Sequence, residues 1–303
     1  MTSPPSLSEK TVTRLVKGVI AVIGRLPLPW ARGLGALAGR FSLLTQSRMA
    51  VATAQNIAYC LPELSAQEQK QLVHASVLET GRLALETAVI WTRSPSWVEQ
   101  RITQRIGEHL IKEAQARGQG VLILAPHIGN WEVLNYYLAT LGQVTNMYQK
   151  PNAIGMNEVL LEVRTRCNAR LVATDRKGLM TILKVLKEGG MSGILPDQTP
   201  KDDASGLFAP FMAHHAFTMT LANKLIKKSG CKPLFAYAKR VKGGFEIVVE
   251  EAPADIHSDD EQLAVNALSA GIEHCVRSVP AQYQWEYKRF KKRLYDQPDP
   301  YQK

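Results

Sequence analysis

Val121-Leu122-Ile123-Leu124-Ala125-Pro126-His127-Ile128-Gly129-Asn130-Trp131-Glu132 is the stretch that decides the fold. Its first five residues are an unbroken apolar run between Gly120 and Pro126. A run of strand length with no polar alternation suits a strand covered on both faces, as in a mostly parallel sheet. Gly129 and Asn130 then stand beside the start of a helical pattern over 131–141, which Gly142 stops. Strand, loop and helix in this order begin an α/β repeat.

The same alternation continues downstream. Strands are predicted at 144–148, 169–173 and 193–195, with helices at 156–167, 179–187 and 218–228 between and after them. Residues 233–240 and 245–250 flank Val241-Lys242-Gly243-Gly244 and read as a hairpin. A last helix is predicted at 261–278. Upstream, 48–60 is helical, and Ser65 with Glu68 forms a capping box at the head of a helical region that ends near Arg93-Ser94-Pro95. Another helix, 108–117, closes on Gly118 and Gly120. The expected fold is α/β, a mostly parallel central sheet flanked by helices.

The chain has 303 residues, with ordinary proportions of apolar (45%) and charged (21%) side chains. These exclude whole-chain disorder and fibrous repeats. The net charge of +10 predicts attraction to something anionic: nucleic acid, an acidic membrane surface, an acidic protein or a phosphorylated ligand. Cys60, Cys167, Cys231 and Cys275 have neither metal-site nor disulfide-framework spacing, and the adjacent His214-His215 has no obvious carboxylate partner. No metal or cofactor is expected.

From Val12 to Leu26 the apolar residues are cut by Arg14, Lys17 and Arg25, too often for a membrane span. On a helical wheel Val12, Leu15, Val16, Val19, Ile20, Val22, Ile23 and Leu26 share a broad arc opposite the basic stripe, the pattern of a helix lying in an anionic interface. A second segment, 30–44, follows Pro27 and Pro29 and is rich in Gly and Ala. Together the two segments suit either a helix lying on the membrane or a tilted or hairpin insertion into it, and residues 1–45 are expected to form a membrane-associating helical segment ahead of the main domain, 46–303.

His127 and Glu132 make an H-x4-E pattern. With seven histidines and 27 acidic residues this spacing arises readily by chance, and it occurs a second time at His74 and Glu79. His74 falls inside a capped amphipathic helix. His127 follows a buried strand, and ligands of open α/β sheets bind beyond the carboxyl ends of strands. An imidazole there is suited to take a proton from a hydroxyl, with a carboxylate to hold it in one tautomer. Backbone N–H groups at Gly129 and Asn130 are expected to face an anion or oxyanion. No G-x-S-x-G elbow and no phosphate-binding glycine loop is present. A base without a protein nucleophile points to direct attack by a substrate hydroxyl on an activated acyl group.

These residues carry a resemblance. Ala125 to Glu132, APHIGNWE, is similar to the catalytic block of the bacterial lipid A biosynthesis lauroyl/myristoyl acyltransferase family. Arg48 to Leu64, with Gln55 to Leu64 at its end, resembles its first block, Tyr148-Gln149-Lys150-Pro151-Asn152 with Arg164 and Arg166 its second, and Leu195-Pro196-Asp197-Gln198 with Phe208-Ala209-Pro210-Phe211 its third. Tyr283 to Phe290 resembles the closing W-x-H-(K/R)-R-F element, with Tyr287 where that family usually has histidine. The resemblance implies a glycerolipid-acyltransferase-like fold. It also implies transfer of a fatty acyl chain from acyl carrier protein to a hydroxyl of a lipid A precursor, at the cytoplasmic face of the bacterial inner membrane. In that reading His127 is the general base and Glu132 orients it. Asn130, Arg164, Arg166, Asp197 and Gln198 bind substrate, the arginines taking the phosphorylated acceptor or the developing charge. An acyltransferase acting on another membrane lipid is the alternative. A non-catalytic nucleic-acid protein is disfavoured, because the basic run 288–293 holds a single aromatic residue.

Overall fold

The computed structural model describes residues 7–149, 156–166 and 169–302, and the side chains of 7–10, 164 and 165 lie outside the description. Cys167 and Lys150-Pro151-Asn152 of the second block fall outside it too. Four helices open the chain: α1 (Leu7–Gly24), α2 (Leu28–Leu44), α3 (Arg48–Cys60) and α4 (Ala66–Thr92). Ser65 caps α4 and Glu68 closes the box, as the sequence predicts. The short α5 (Pro95–Glu99) leads into β1 (Ile102–Ile106), α6 (Glu108–Ala116), β2 (Val121–Leu124) and α7 (Trp131–Leu141). There follow β3 (Thr145–Tyr148), α8 (Met156–Arg166), β4 (Arg170–Ala173), α9 (Arg176–Lys187) and β5 (Met191–Ile194). The chain then runs through β6 (Gly206–Phe211), β7 (His214–Met219), α10 (Leu221–Ser229), β8 (Lys232–Val241), β9 (Gly244–Glu251) and α11 (Glu261–Ser278).

The main sheet has the order β1-β9-β8-β2-β5. All its pairs are parallel except the β8–β9 hairpin. β2 lies between β8 and β5 and is buried at every position. Its side chains explain the unbroken apolar run. Val121 and Ile123 enter a core shared with α6 and α7, while Leu122 and Leu124 enter a second core with α9, α10 and α11. A strand sandwiched this way needs apolar residues on both faces.

The prediction fails in two regions. β1, the edge strand paired with β9, stands where no strand is predicted, and the second miss is the β6–β7 hairpin. Residues 218–220 are not the first turn of a helix. Thr218 and Met219 end β7, which pairs antiparallel with β6, and α10 starts at Leu221. The β6–β7 pairing satisfies the backbone there, and tertiary pairing of this kind overrides local pattern.

Among the described residues no helix is long and apolar enough to cross a membrane. Both N-terminal helices nonetheless show apolar stripes to the outside. Val12, Leu15, Val19 and Val22 are exposed on α1, and Trp30, Leu34, Leu37, Phe41 and Leu44 on α2. The inner face of α2 packs on α4 through glycines. A Cβ on Gly81 would lie 2.2 Å from the Gly35 carbonyl oxygen, and one on Gly35 would lie 2.4 Å from the Gly81 carbonyl oxygen.

Buried charge adds to this contact. Glu86 of α4 is fully buried and receives two guanidinium groups. Arg240 of β8 approaches at 2.8 and 2.9 Å, and Arg32 of α2 at 2.6 Å. Arg32 also donates to the carbonyls of Val241 and Gly244 at the turn of the β8–β9 hairpin. Glu79 pairs with Arg240 and Arg82. The second H-x4-E pair therefore divides: His74 is exposed, whereas Glu79 belongs to the buried charge cluster.

The helix contact makes a prediction with opposite signs at two glycines. Gly81→Ala should destabilise by about 1–3 kcal/mol, because backbone faces backbone and neither helix can yield without moving. Gly33→Ala on the open face of α2, where a Cβ meets nothing within 4 Å, should stabilise by about 0.4–1 kcal/mol. Denaturant midpoints of the purified protein measure both, and equal shifts would refute the close crossing.

Candidate active site

The candidate site is built where β2 ends. After Leu124 the chain turns through Pro126 to Asn130 and enters α7. Gly129 sits at φ +61°, and a Cβ there would lie 2.0 Å from the Ala238 carbonyl oxygen, so both conformation and space require glycine. Asn130 caps α7 by accepting the N–H groups of Glu132 and Val133 at 3.1 and 3.2 Å. Its amide donates to Glu86 at 2.8 Å. The charge cluster thus holds the catalytic-block loop through a single side chain. Asn130 is wholly buried, and its side chain serves to position this loop.

His127 is held twice by one carboxylate. Its Nδ1 lies 2.8 Å from Asp197 Oδ1, and its backbone N–H donates to Oδ2 at 3.1 Å. Nε2 faces the Gln198 amide nitrogen at 3.3 Å. With Nδ1–H donating to Asp197, Nε2 is left as an acceptor, the form a general base needs. Burial lowers the proton affinity of His127, but Asp197 outweighs it and the net shift is upward. Burial likewise pushes the Asp197 carboxyl up, and His127 with Arg289 brings it below the usual carboxylate range.

These contacts correct two expectations. The imidazole is oriented by Asp197, where the sequence reading had Glu132 in that role. His127 lies in the loop before α7, so its spacing to Glu132 is not one turn of a helix. Glu132 is buried at the head of α7, on the wall of an apolar groove. Nor do the loop N–H groups await an anion. Ile128 donates to Pro126, Gly129 to Gln282 and Asn130 to Ala238, while His127 donates to Asp197. Gln198, exposed beside Nε2, is the donor that stands at the reacting edge.

The groove holds about 830 Å³ and runs between α1, α4, α7 and α8, with Trp131, Glu132, Tyr148 and Gln284 along its inner side. The ring of Trp131 meets that of His127 edge to face at 5.2 Å. A smaller cavity of about 130 Å³, lined by Leu134, Leu138, Val144 and Leu171, shares Trp131 and Tyr148 with it.

The closing block wraps the same loop. Gln284 donates to the His127 carbonyl at 3.0 Å, and Asn56 of the first block donates to the carbonyls of Trp285 and Tyr287. The run 288–293 is thus no solvated basic tail. Arg289 is 2% exposed, donates to the Asp197 carbonyl and packs on Phe211. Tyr287, in the place of the usual histidine, accepts the Thr199 N–H through its hydroxyl at 3.0 Å. Glu286 faces the imidazole from this block as a second carboxyl, pushed up by burial.

The second block is not brought to the imidazole in the same way. Arg166 is exposed and its Nε donates to the Glu162 carbonyl of its own helix. The Arg164 side chain lies outside the described residues. His214 stacks on Tyr59 at 3.6 Å between ring centres. The sequence reading missed Glu86, Arg240 and the role of Arg289. A lone acid within the apolar stretch Leu83 to Trp91 was the available signal for Glu86.

Comparison with known proteins gives the family. The family described as bacterial lipid A biosynthesis acyltransferase matches residues 5–292. The lipid A biosynthesis lauroyltransferase of Escherichia coli K12 is 27% identical over 296 residues, covering 96% of this chain and 94% of that protein. The lipid A biosynthesis palmitoleoyltransferase of the same organism is 25% identical over 282 residues, covering 91% and 90%. A lipid A biosynthesis acyltransferase of Haemophilus influenzae is 25% identical over 233 residues, covering 76% and 72%. With a match along nearly its whole length, the chain belongs to the bacterial lipid A biosynthesis acyltransferase family.

Proposed function

We propose that the protein transfers a fatty acyl chain from the thioester of acyl carrier protein to a hydroxyl of a lipid A precursor, with His127 as general base. The observation that carries this reading is the His127–Asp197 pair beside an apolar groove. Nε2 takes the proton of the acceptor hydroxyl as its oxygen attacks the thioester carbonyl. The C–S bond then breaks, and the carrier thiolate receives the proton back from the imidazolium. Asp197 keeps Nδ1–H in place and stabilises the positive charge that forms. The Gln198 amide donates to the carbonyl oxygen as negative charge grows there. The groove takes the apolar chain, and Glu132 stands on its wall at the head of α7.

The pair sets the pH response. His127→Ala should lower kcat by about 10²–10⁴-fold. In the native enzyme the acidic limb of kcat/KM should lie above the ordinary imidazole value of about 6.5, since the raised proton affinity must be overcome before the base is free. Asp197→Asn leaves the burial and removes the opposing charge. Its acidic limb should therefore move to lower pH while kcat falls. An unmoved limb would separate Asp197 from the base.

The donor is tested by salt. With a net charge of +10, the protein should attract the acidic carrier electrostatically. Raised ionic strength should then increase KM for the acyl-carrier donor more than it lowers kcat. Equal activity with acyl-coenzyme A, indifferent to salt, would count against the carrier.

The exposed stripes on α1 and α2 support membrane attachment with the helices lying in the interface, and the face proposed is the cytoplasmic one of the inner membrane. Leu37→Lys with Phe41→Lys, both on the outer face of α2, should shift the protein from the membrane to the soluble fraction without changing its folding. Retention as tight as that of the native chain would exclude this face as the anchor.

A further inference from the structure

The N-terminal elbow carries a cationic concavity with no place in the reaction above. It holds about 760 Å³ and lies between the α1–α2 turn, the end of α4, α5 and the tip of the β8–β9 hairpin. Arg25, Arg32, Arg93, Arg101 and Lys242 line it, together with Trp97, and among the described residues no acidic side chain does. Arg32 is neutralised by Glu86. The other four have no carboxylate partner among the described ion pairs.

Like charges do not converge on one concavity without cost. Here the fold holds them together. Arg101 stacks on the Trp97 ring at 3.4 Å and donates to the Trp97 carbonyl. Arg93 approaches the same ring at 5.2 Å and donates to the carbonyls of Arg25 and Leu26, tying the elbow to α4. Its Nε is buried with no hydrogen-bond partner. Burial and then the Arg93 charge push the Arg101 guanidinium down. The elbow also sits between the two exposed apolar stripes, with Trp30 next to it at 68% exposure. A cation set at the depth of an interfacial tryptophan meets lipid headgroups.

From this geometry we infer that Arg25, Arg93, Arg101 and Lys242 form a binding site for the phosphate of a membrane lipid. Guanidinium groups suit phosphate oxygens bidentately, and Lys242 adds a point charge from the hairpin tip. The phosphate belongs either to a bulk anionic phospholipid or to a phosphorylated lipid acceptor, and the two are separable.

The test uses the full chain, and its vesicle arm does not depend on the proposed reaction. Binding is measured to phosphatidylcholine vesicles with and without phosphatidylglycerol. Arg25→Gln/Lys242→Gln changes two exposed side chains, so folding is expected to survive. It should lose about tenfold or more of the binding gained from phosphatidylglycerol, the size expected of two cations at an anionic surface, and keep its binding to phosphatidylcholine alone. Lys177→Gln/Lys187→Gln, which removes two exposed charges from α9, should lose much less. Arg25→Lys/Lys242→Arg should bind as the native chain does. A vesicle loss with an unchanged KM for the lipid A precursor assigns the site to bulk phospholipid. A raised KM for that precursor, with the donor KM unchanged, assigns it to the acceptor. Equal losses in the elbow and α9 variants would overturn the site. So would a raised KM for acyl carrier protein with vesicle binding intact, which would make the elbow a protein-docking surface.

Discussion

A single carboxylate in the interior governs much of this structure. Glu86 has no exposure, and burial alone would push its carboxyl up, yet Arg240 and Arg32 hold it below the usual carboxylate range. An ion so buried is tolerable only when its charge is matched and its lone pairs are filled. Arg240 and Arg32 do the first, and Asn130 completes the second. The partners come from β8, α2 and the loop before α7, so α4 cannot shift without breaking a bond to each. The energetic value of such a cluster over an apolar replacement is small or negative in general. Its effect here is geometrical, because it fixes the N-terminus of α7, and with it Glu132, against the sheet.

The imidazole depends on a second restraint at the opposite side of its loop. Asp197 is itself held, since Arg289 donates to its carbonyl and Tyr287 accepts from Thr199 two residues on. Without these bonds the turn after β5 would be free to move, and the carboxylate with it. The bond made by Tyr287 needs only an acceptor at that point. Here the phenol oxygen, which reaches further from the backbone than an imidazole nitrogen, supplies it.

The fold was legible wherever the chain spoke locally. The apolar run of β2, the glycine after α7 and the Ser65–Glu68 box each place an element without knowledge of its neighbours. The β6–β7 hairpin did not announce itself, because Pro210 interrupts its pattern and His214-His215 suggested another chemistry. At the site, His127 could be found from its position after a strand. Asp197 and Gln198 could be placed at the same edge, since they end another strand of the sheet. Their division of labour could not be read. Which carboxylate meets Nδ1 depends on the meeting of two strand ends 70 residues apart, and no spacing along the chain encodes that. The loop N–H groups were misread for the same reason, because their acceptors, Ala238 and Gln282, come from elements far away in sequence.

Net charge needs the same correction. An excess of ten positive charges reads as a surface poised to attract anions. Yet Arg240 and Arg289 are buried, and Arg32 is sequestered by Glu86. Much of the basic run 288–293 is folded back too, with Lys288 over Tyr301, Lys291 over Tyr287 and Lys292 paired with Asp203. The buried and paired ones hold the fold together and contribute little to steering, which belongs to charges facing solvent such as Lys288 and Lys291. The charge that remains outside is unevenly spread, and the elbow between α1 and α2 gathers several of its unpaired members into one concavity. The sum sets a long-range pull on anions, and the elbow concentrates it at one place, beside the helices whose apolar stripes face outward.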